Sequence, residues 1–162
     1  MFFKKIQSKV KTWATAKQAV DQWKRSGRKV VFTNGCFDLL HYGHIHYLAQ
    51  AKDLGDYLMV GVNADRSVAR LKGPHRPIKD ENTRLHILAA LACVDAVVLF
   101  EENTPYELIK MLMPDVLVKG GDWLPENIIG ADIVLGNGGA VFSLPFVEGF
   151  STTNYEKKIK ES

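Results

Sequence analysis

Arg28-Lys29-Val30-Val31-Phe32-Thr33-Asn34-Gly35-Cys36-Phe37-Asp38-Leu39-Leu40-His41-Tyr42-Gly43-His44 is the stretch on which the fold turns. Arg28 to Thr33 carries β-branched and aromatic residues without polar alternation, the pattern of a strand buried on both faces. Asn34 to Asp38 follows as a turn, rich in residues that bend the chain or bond their own backbone. A helix then runs from about Tyr42 to Leu54, and Gly55 stops it. Strand, glycine-bearing turn and helix start make one βα unit.

The same alternation extends in both directions. Upstream, Trp13, Ala16, Ala19, Val20 and Trp23 recur at helical spacing between Thr12 and Ser26, and Gly27 closes that helix. Downstream, Tyr57 to Val62 reads as a strand, Asp65 to Leu71 as a short helix, and Lys72 to Lys79 as a loop bearing Pro and Gly. Glu81 to about Cys93 reads as a helix and Ala96 to Phe100 as a strand. Thr104 is placed to cap a helix with Pro105 at its first position and Glu107 in a capping-box spacing. Pro114 ends that helix, Val116 to Val118 and Val141 to Leu144 are strands, and a capped helix starts at Ser151. This order predicts a single α/β, Rossmann-like domain over residues 12–162. It has a parallel sheet of about five strands, helices on both faces and right-handed crossovers. Residues 1–11 are read as a basic segment before it. Ligands of such sheets bind beyond the carboxyl ends of the strands, where the strand order reverses. That points to the loops at 34–44, 63–65 and 119–123 and to the approach to Ser151.

Composition narrows the function classes. The chain has 162 residues, 46% apolar and 24% charged, which is ordinary for a globular domain with its own core. No apolar run is long enough to cross a membrane, and Met1-Phe2-Phe3-Lys4-Lys5-Ile6 lacks the pattern of a secretory signal, so a cytoplasmic protein is expected. Cys36 and Cys93 are too few for a disulfide framework and lack metal-ligand spacing, and no metal residues are assigned. The net charge of +3 is too small to argue for nucleic acid. The first 29 residues do hold nine Lys or Arg against the single acid Asp21, which fits a solvated helix.

His41 and His44 stand three residues apart at a helix start and so share a face. A helix N-terminus offers free N–H groups and the positive end of the macrodipole, which together favour phosphate. Gly35 and Gly43 let backbone and ligand approach closely. Two imidazoles there can donate hydrogen bonds to a phosphoryl group as charge builds on its oxygens. A phosphate monoester as attacking group is already mostly dianionic at neutral pH, its second pKa being about 6, so neither histidine need act as a base. Taken alone, the pair also fits surface decoration or half of a zinc site.

The run Gly35 to His44 resembles the HxGH signature of the nucleotidyltransferase superfamily that includes cytidylyltransferases. The resemblance extends over about 25–160, through Asn63-Ala64-Asp65, Arg76-Pro77, Arg84, Val118-Lys119-Gly120-Gly121-Asp122-Trp123 and Phe150-Ser151-Thr152-Thr153-Asn154. Leu71-Lys72-Gly73, the run Val118 to Trp123, Gly130 to Val134 and Glu148 to Asn154 are similar to the adenylyltransferase half of the bifunctional heptose kinase/adenylyltransferase family. That resemblance implies transfer of AMP from ATP to D-glycero-β-D-manno-heptose 1-phosphate, feeding lipopolysaccharide or a related surface glycan. It implies Mg²⁺ accompanying ATP, a homodimer, and a separate heptose kinase to supply the 1-phosphate. The other readings are a cytidylyltransferase acting on glycerol 3-phosphate or a similar alcohol phosphate, and a non-catalytic nucleotide-binding module.

The resemblance also implies roles by position. His41, His44 and Lys72 are the expected catalytic set, Lys72 being otherwise an ordinary loop lysine. Asn34, Gly35, Cys36, Phe37, Asp38, Gly43, Lys119, Gly120, Ser151, Thr152 and Thr153 are expected at the nucleotide and its phosphates. Asp38 equally suits local turn bonding, and one of the three hydroxyls is explained by helix capping. Asn63, Asp65, Arg84, Asp122 and Trp123 are expected at the acceptor. Arg84 clamps its phosphate or forms a surface pair; Trp123 serves the substrate, a lid or a dimer contact. After Asn154 the family usually continues with two Ile, where this chain has Tyr155-Glu156.

Overall fold

In the computed structural model, which describes residues 1–162, every strand of the sheet is parallel to its neighbours. The elements are α1 (Phe2–Lys9), β1 (Val10–Lys11), α2 (Trp13–Arg25), β2 (Val30–Gly35), α3 (Tyr42–Lys52), β3 (Tyr57–Asn63), α4 (Asp65–Lys72), α5 (Glu81–Ala90), β4 (Ala96–Phe100), α6 (Tyr106–Leu112), β5 (Val116–Gly120), α7 (Ala131–Gly136), β6 (Ala140–Leu144) and α8 (Thr152–Lys160). The sheet order is β1-β4-β3-β2-β5-β6. The chain moves outward from β2 to β3 to β4, then returns to lay β5 on the other side of β2. The order therefore reverses between β2 and β5, and a crevice opens at their carboxyl ends.

Strand pleating divides the core into two layers, because successive side chains point to opposite faces. Val30 and Phe32 of β2 meet Ala16 and Val20 of α2 and Leu108 and Leu112 of α6. Val31, between them, meets Leu48 and Ala51 of α3, with Leu85 and Leu88 of α5 in the same cluster. Both faces are thus covered, as the unbroken apolar strands require. At the opposite edge of the sheet, strand starts are tied by aspartates: Asp115 accepts the Val30 amide at 2.8 Å and Asp95 the Leu58 amide at 2.7 Å.

The sheet has six strands rather than about five, and the sixth comes from the stretch read as a basic segment. Val10 of β1 pairs with Val97 of β4. α1 packs on α5, with the Phe3 ring stacked on His86 at 5.9 Å, and Lys9 donates to the Val94 carbonyl at 2.6 Å. Residues 1–11 are therefore joined to the domain edge. Two smaller differences concern caps and turns. Asn34 and Gly35 belong to β2, not to the turn after it. α6 starts after Pro105 with no side-chain cap, so the Thr104 capping box does not form. Thr12 and Ser151 do cap α2 and α8. No helix is long and apolar enough to cross a membrane.

Candidate active site

The crevice is built from β2 outward. At Gly35 a Cβ would stand 2.9 Å from the Phe37 ring, so glycine lets that ring pack back on the strand end. Phe37, at φ 50°, turns the chain and is buried. Asp38, 3% exposed, then fastens a distant loop: it accepts the Ile78 and Lys79 amides, both near 2.9 Å, and the Arg76 guanidinium at 2.6 Å. Burial pushes its carboxyl up, but those amides and the cation outweigh burial and hold it below its usual range. Asp38 thus lines the cavity, where a residue expected at the nucleotide would stand, and it anchors the 76–79 loop instead of bonding its own turn.

His41 is the N-cap of α3, its Nδ1 accepting the Gly43 amide at 3.1 Å. The Nδ1 of His44 accepts the His41 amide at 3.3 Å. The ring centroids lie 3.9 Å apart, and Phe37 packs edge-on against His44 at 5.6 Å. With Nδ1 an acceptor, each neutral ring carries its proton on Nε2, so two N–H donors are available to a ligand. Burial lowers the His41 pKa; burial, then His41 and Lys72, bring that of His44 down to about 4. Both are neutral at pH 7. A Cβ at Gly43 would press the His41 ring at 3.0 Å, so this glycine admits the cap.

His41, His44, Lys72 and Lys119 line one cavity of about 470 Å³, together with Asn34 to Asp38, Gly43, Gly120, Ser151 and Thr152. Ser151 accepts the Asn154 amide as the α8 cap, so the N-terminus of that nine-residue helix opens onto the cavity. Burial lowers the Lys119 pKa, and burial pushes the Cys36 thiol up despite Lys72, Arg84 and Lys119. Burial thus favours the neutral thiol of Cys36, which lines the cavity wall. The only carboxylate in this lining, Asp38, has both oxygens engaged, so the cavity leaves no free carboxylate for a metal ion.

A second cavity of about 350 Å³ adjoins the first and shares Asn34, Gly35, Cys36 and Lys119 with it. Asn63 and Trp123 line it, as do Leu71, Asn103, Thr104, Pro105, Asn127, Ile128 and Ile129.

Four expected residues lie outside both cavities. Thr153 faces away on the first turn of α8, and Asp122 is exposed. Arg84, 1% exposed, is neither a surface pair nor free for a substrate phosphate. It donates to the carbonyls of Lys79, Cys36 and Asn63 and to Asp65 at 2.7–3.0 Å, using four of its five N–H groups. That binds Asp65 as well, and together they hold the ends of β2 and β3 against α5. Sequence reasoning missed Tyr47, Phe146, Val147 and Phe150 in the first cavity and most of the second. Tyr47 was within reach, one turn beyond His44 on the same helix; its hydroxyl meets Thr33 at 2.5 Å beneath the crevice. The loop after β4, holding Asn103 to Pro105, obeys the same carboxyl-end rule as the others.

The cytidylyltransferase-like family profile matches residues 32–153, from the middle of β2 to the first turn of α8. The chain belongs to the cytidylyltransferase-like family. It is accordingly a nucleotidyltransferase, and the HxGH run is its His41 to His44. It is 54% identical over 95% of its length to the bifunctional protein HldE of Trichlorobacter lovleyi, and 52% identical over 94% to that of Syntrophotalea carbinolica. It spans 31% of the length of each of these relatives. Among solved structures, the lipopolysaccharide core biosynthesis protein of Thermoplasma volcanium is 35% identical, with a TM-score of 0.59, covering 75% of this chain and 98% of that one. Pantothenate synthetase of Thermus thermophilus shares the fold, with a TM-score of 0.62 at 15% identity over 94% of this chain and 70% of that one.

In a cytidylyltransferase-like domain the departure at Tyr155-Glu156 acquires a structural account. The Tyr155 ring stacks on His41 at 5.7 Å, and Glu156 pairs with Arg76, already bound to Asp38. α8 is thus fastened to the histidine turn by polar and aromatic contacts where two Ile would pack.

Proposed function

We propose that this chain transfers AMP from ATP to D-glycero-β-D-manno-heptose 1-phosphate, giving ADP-heptose and pyrophosphate for a lipopolysaccharide or related surface glycan in the cytoplasm. One observation carries the reading: two neutral imidazoles with free Nε2–H donors stand at a helix start beside a helix N-terminus and two lysines, in one cavity. The names of the HldE relatives and of the Thermoplasma protein support the sugar.

An oxygen of the sugar phosphate attacks the α-phosphorus of ATP. A new P–O bond forms, the bond from the α-phosphorus to the bridging oxygen of the β-phosphate breaks, and its electron pair leaves with pyrophosphate. No proton has to move, because the acceptor is already a dianion. His41 and His44 stabilise charge on the α-phosphoryl oxygens. Lys72 and the α8 N-terminus hold the departing pyrophosphate, and Lys119 neutralises the acceptor. Magnesium accompanying ATP would supply further charge neutralisation. A kinase reaction supplies the 1-phosphate, and the active species is a homodimer.

A pyrophosphate-release panel crossing ATP and CTP with heptose 1-phosphate and glycerol 3-phosphate tests this. Turnover highest with ATP and the heptose is expected. Preference for CTP and glycerol 3-phosphate overturns the substrate assignment, and binding of nucleotide without turnover of any pair overturns the reaction.

A further inference from the structure

We propose that Tyr47 is a positioning residue: its hydroxyl pins the fork where β2 and β5 part, and so sets where Lys119 stands across the crevice from Asn34 and Gly35. This rests on the reaction assigned above. Three observations carry it.

The first is register. β2 pairs with β3 along its whole length, from Val30 to Gly35, and β5 pairs with β6 from Val116 to Gly120. Between β2 and β5 the ladder covers only Val31 with Val116 and Phe32 with Leu117. The next residues in that register are Thr33 and Val118. The Tyr47 hydroxyl bridges them, 2.5 Å from Thr33 Oγ1 and 3.3 Å from the Val118 carbonyl oxygen. A side-chain oxygen thus takes over where backbone pairing stops, and the strand ends beyond it open into the cavity.

The second is the direction of the bonds. A phenol has one proton to give. The Val118 carbonyl can only accept, so Tyr47 donates there and the Thr33 hydroxyl donates to Tyr47. Thr33 is fully buried, out of reach of bulk water. Burial also pushes the Tyr47 pKa up to about 12, so the bridge keeps its proton at neutral pH.

The third is what hangs from the pin. Asn34 follows Thr33, Lys119 follows Val118, and both line the cavity with Gly35 and Gly120. The Tyr47 ring lies against Gly120, where an added Cβ would meet it at 3.5 Å. On α3, Tyr47 stands one turn beyond His44, on the same face. Both lips of the crevice and the histidine helix therefore meet at one oxygen. A misplacement of about 1 Å in a reacting group can cost about 10²-fold in rate. α8 is held elsewhere, through Tyr155 and Glu156.

Pyrophosphate release from ATP and heptose 1-phosphate tests this with Tyr47→Phe and with Tyr47→Phe combined with Thr33→Val. The single variant keeps the ring but strands the Thr33 hydroxyl. The double variant removes that orphan, so its Tm should return toward wild type. Both should show kcat lowered about tenfold and a several-fold higher KM for the heptose phosphate, through Lys119. The KM for ATP should stay within about twofold. A double variant that regains wild-type kcat along with its Tm shows a merely structural bridge and overturns the proposal. Wild-type kinetics in the single variant do the same. If the single variant folds poorly, the double variant decides; one that also fails to fold makes the bridge a folding requirement and overturns the proposal. If wild type turns over no pair, the reaction assigned above fails. Crystal structures of wild type and the double variant then decide the pin: a wider Cα separation between positions 33 and 118 supports it, and an unchanged one overturns it.

Discussion

At the scale of single residues the chemistry depends on His44 being neutral. Its Nδ1 accepts the His41 amide, so protonation there would break the turn as well as change the charge. His44→Ala should lower kcat by about 10²–10³-fold, the loss typical of one preorganised donor to a developing oxyanion, with little change in KM for ATP. Because the His44 pKa is brought down to about 4, the acidic limb of kcat/KM should not follow this imidazole. It should follow the acceptor phosphate, near pH 6. A limb that stays fixed when the acceptor is changed to one of different phosphate pKa would contradict this. The same shift bears on stability. The pKa falls from 6.5 to about 4 on folding, so between these values the unfolded chain binds the proton more readily. Stability from this group is full above about pH 6.5 and is lost as pH falls through 4. Urea melts from pH 7 to 4.5 should therefore show wild type losing stability relative to His44→Gln, which has nothing to titrate; equal slopes would refute the buried neutral ring.

At the scale of elements, two fastenings position the chemistry. Arg84 of α5 ties down the ends of β2 and β3 with two donors, through the Cys36 and Asn63 carbonyls, and Lys79 and Asp65 with two more. Arg84→Met should cost about 3–5 kcal/mol in urea denaturation, since it strands buried acceptors, and Arg84→Lys should recover little because one ammonium cannot span them. The second fastening is α8 to Arg76 through Glu156. Glu156→Ala removes a part-exposed ion pair worth up to about 1 kcal/mol, so Tm should fall by no more than about 4 °C. The readout that matters is a several-fold rise in KM for ATP as the α8 N-terminus loosens; an unchanged KM would show that α8 is held without it. These fastenings mark the limit of the sequence reading. The His41–His44 geometry was legible because both residues lie within one helical turn. The burial of Arg84 was not, because nothing local distinguishes a cation that meets carbonyls from three other segments. Tyr155-Glu156 showed only as a departure from two Ile, and its contacts depend on where the 76–79 loop is anchored.

At the scale of the whole molecule, the alternation of strands and helices was enough to foresee a parallel sheet covered on both faces, and the reversal of strand order puts the crevice between β2 and β5. β1 escaped because two residues carry no periodicity; pairing with β4 alone makes them a strand. The second cavity escaped for a different reason. Its walls come from Leu71, the loop after β4 and the stretch before α7, which only the assembled sheet brings together. The central claim is that the bond broken lies between the α- and β-phosphates of ATP and that the sugar phosphate takes the α-phosphoryl group. ATP labelled at the α-phosphorus, incubated with heptose 1-phosphate and the purified chain, tests this most directly. The label is expected in a sugar nucleotide, with one unlabelled pyrophosphate released for each. Label recovered in ADP, with phosphate passed to the sugar or to water, would contradict it.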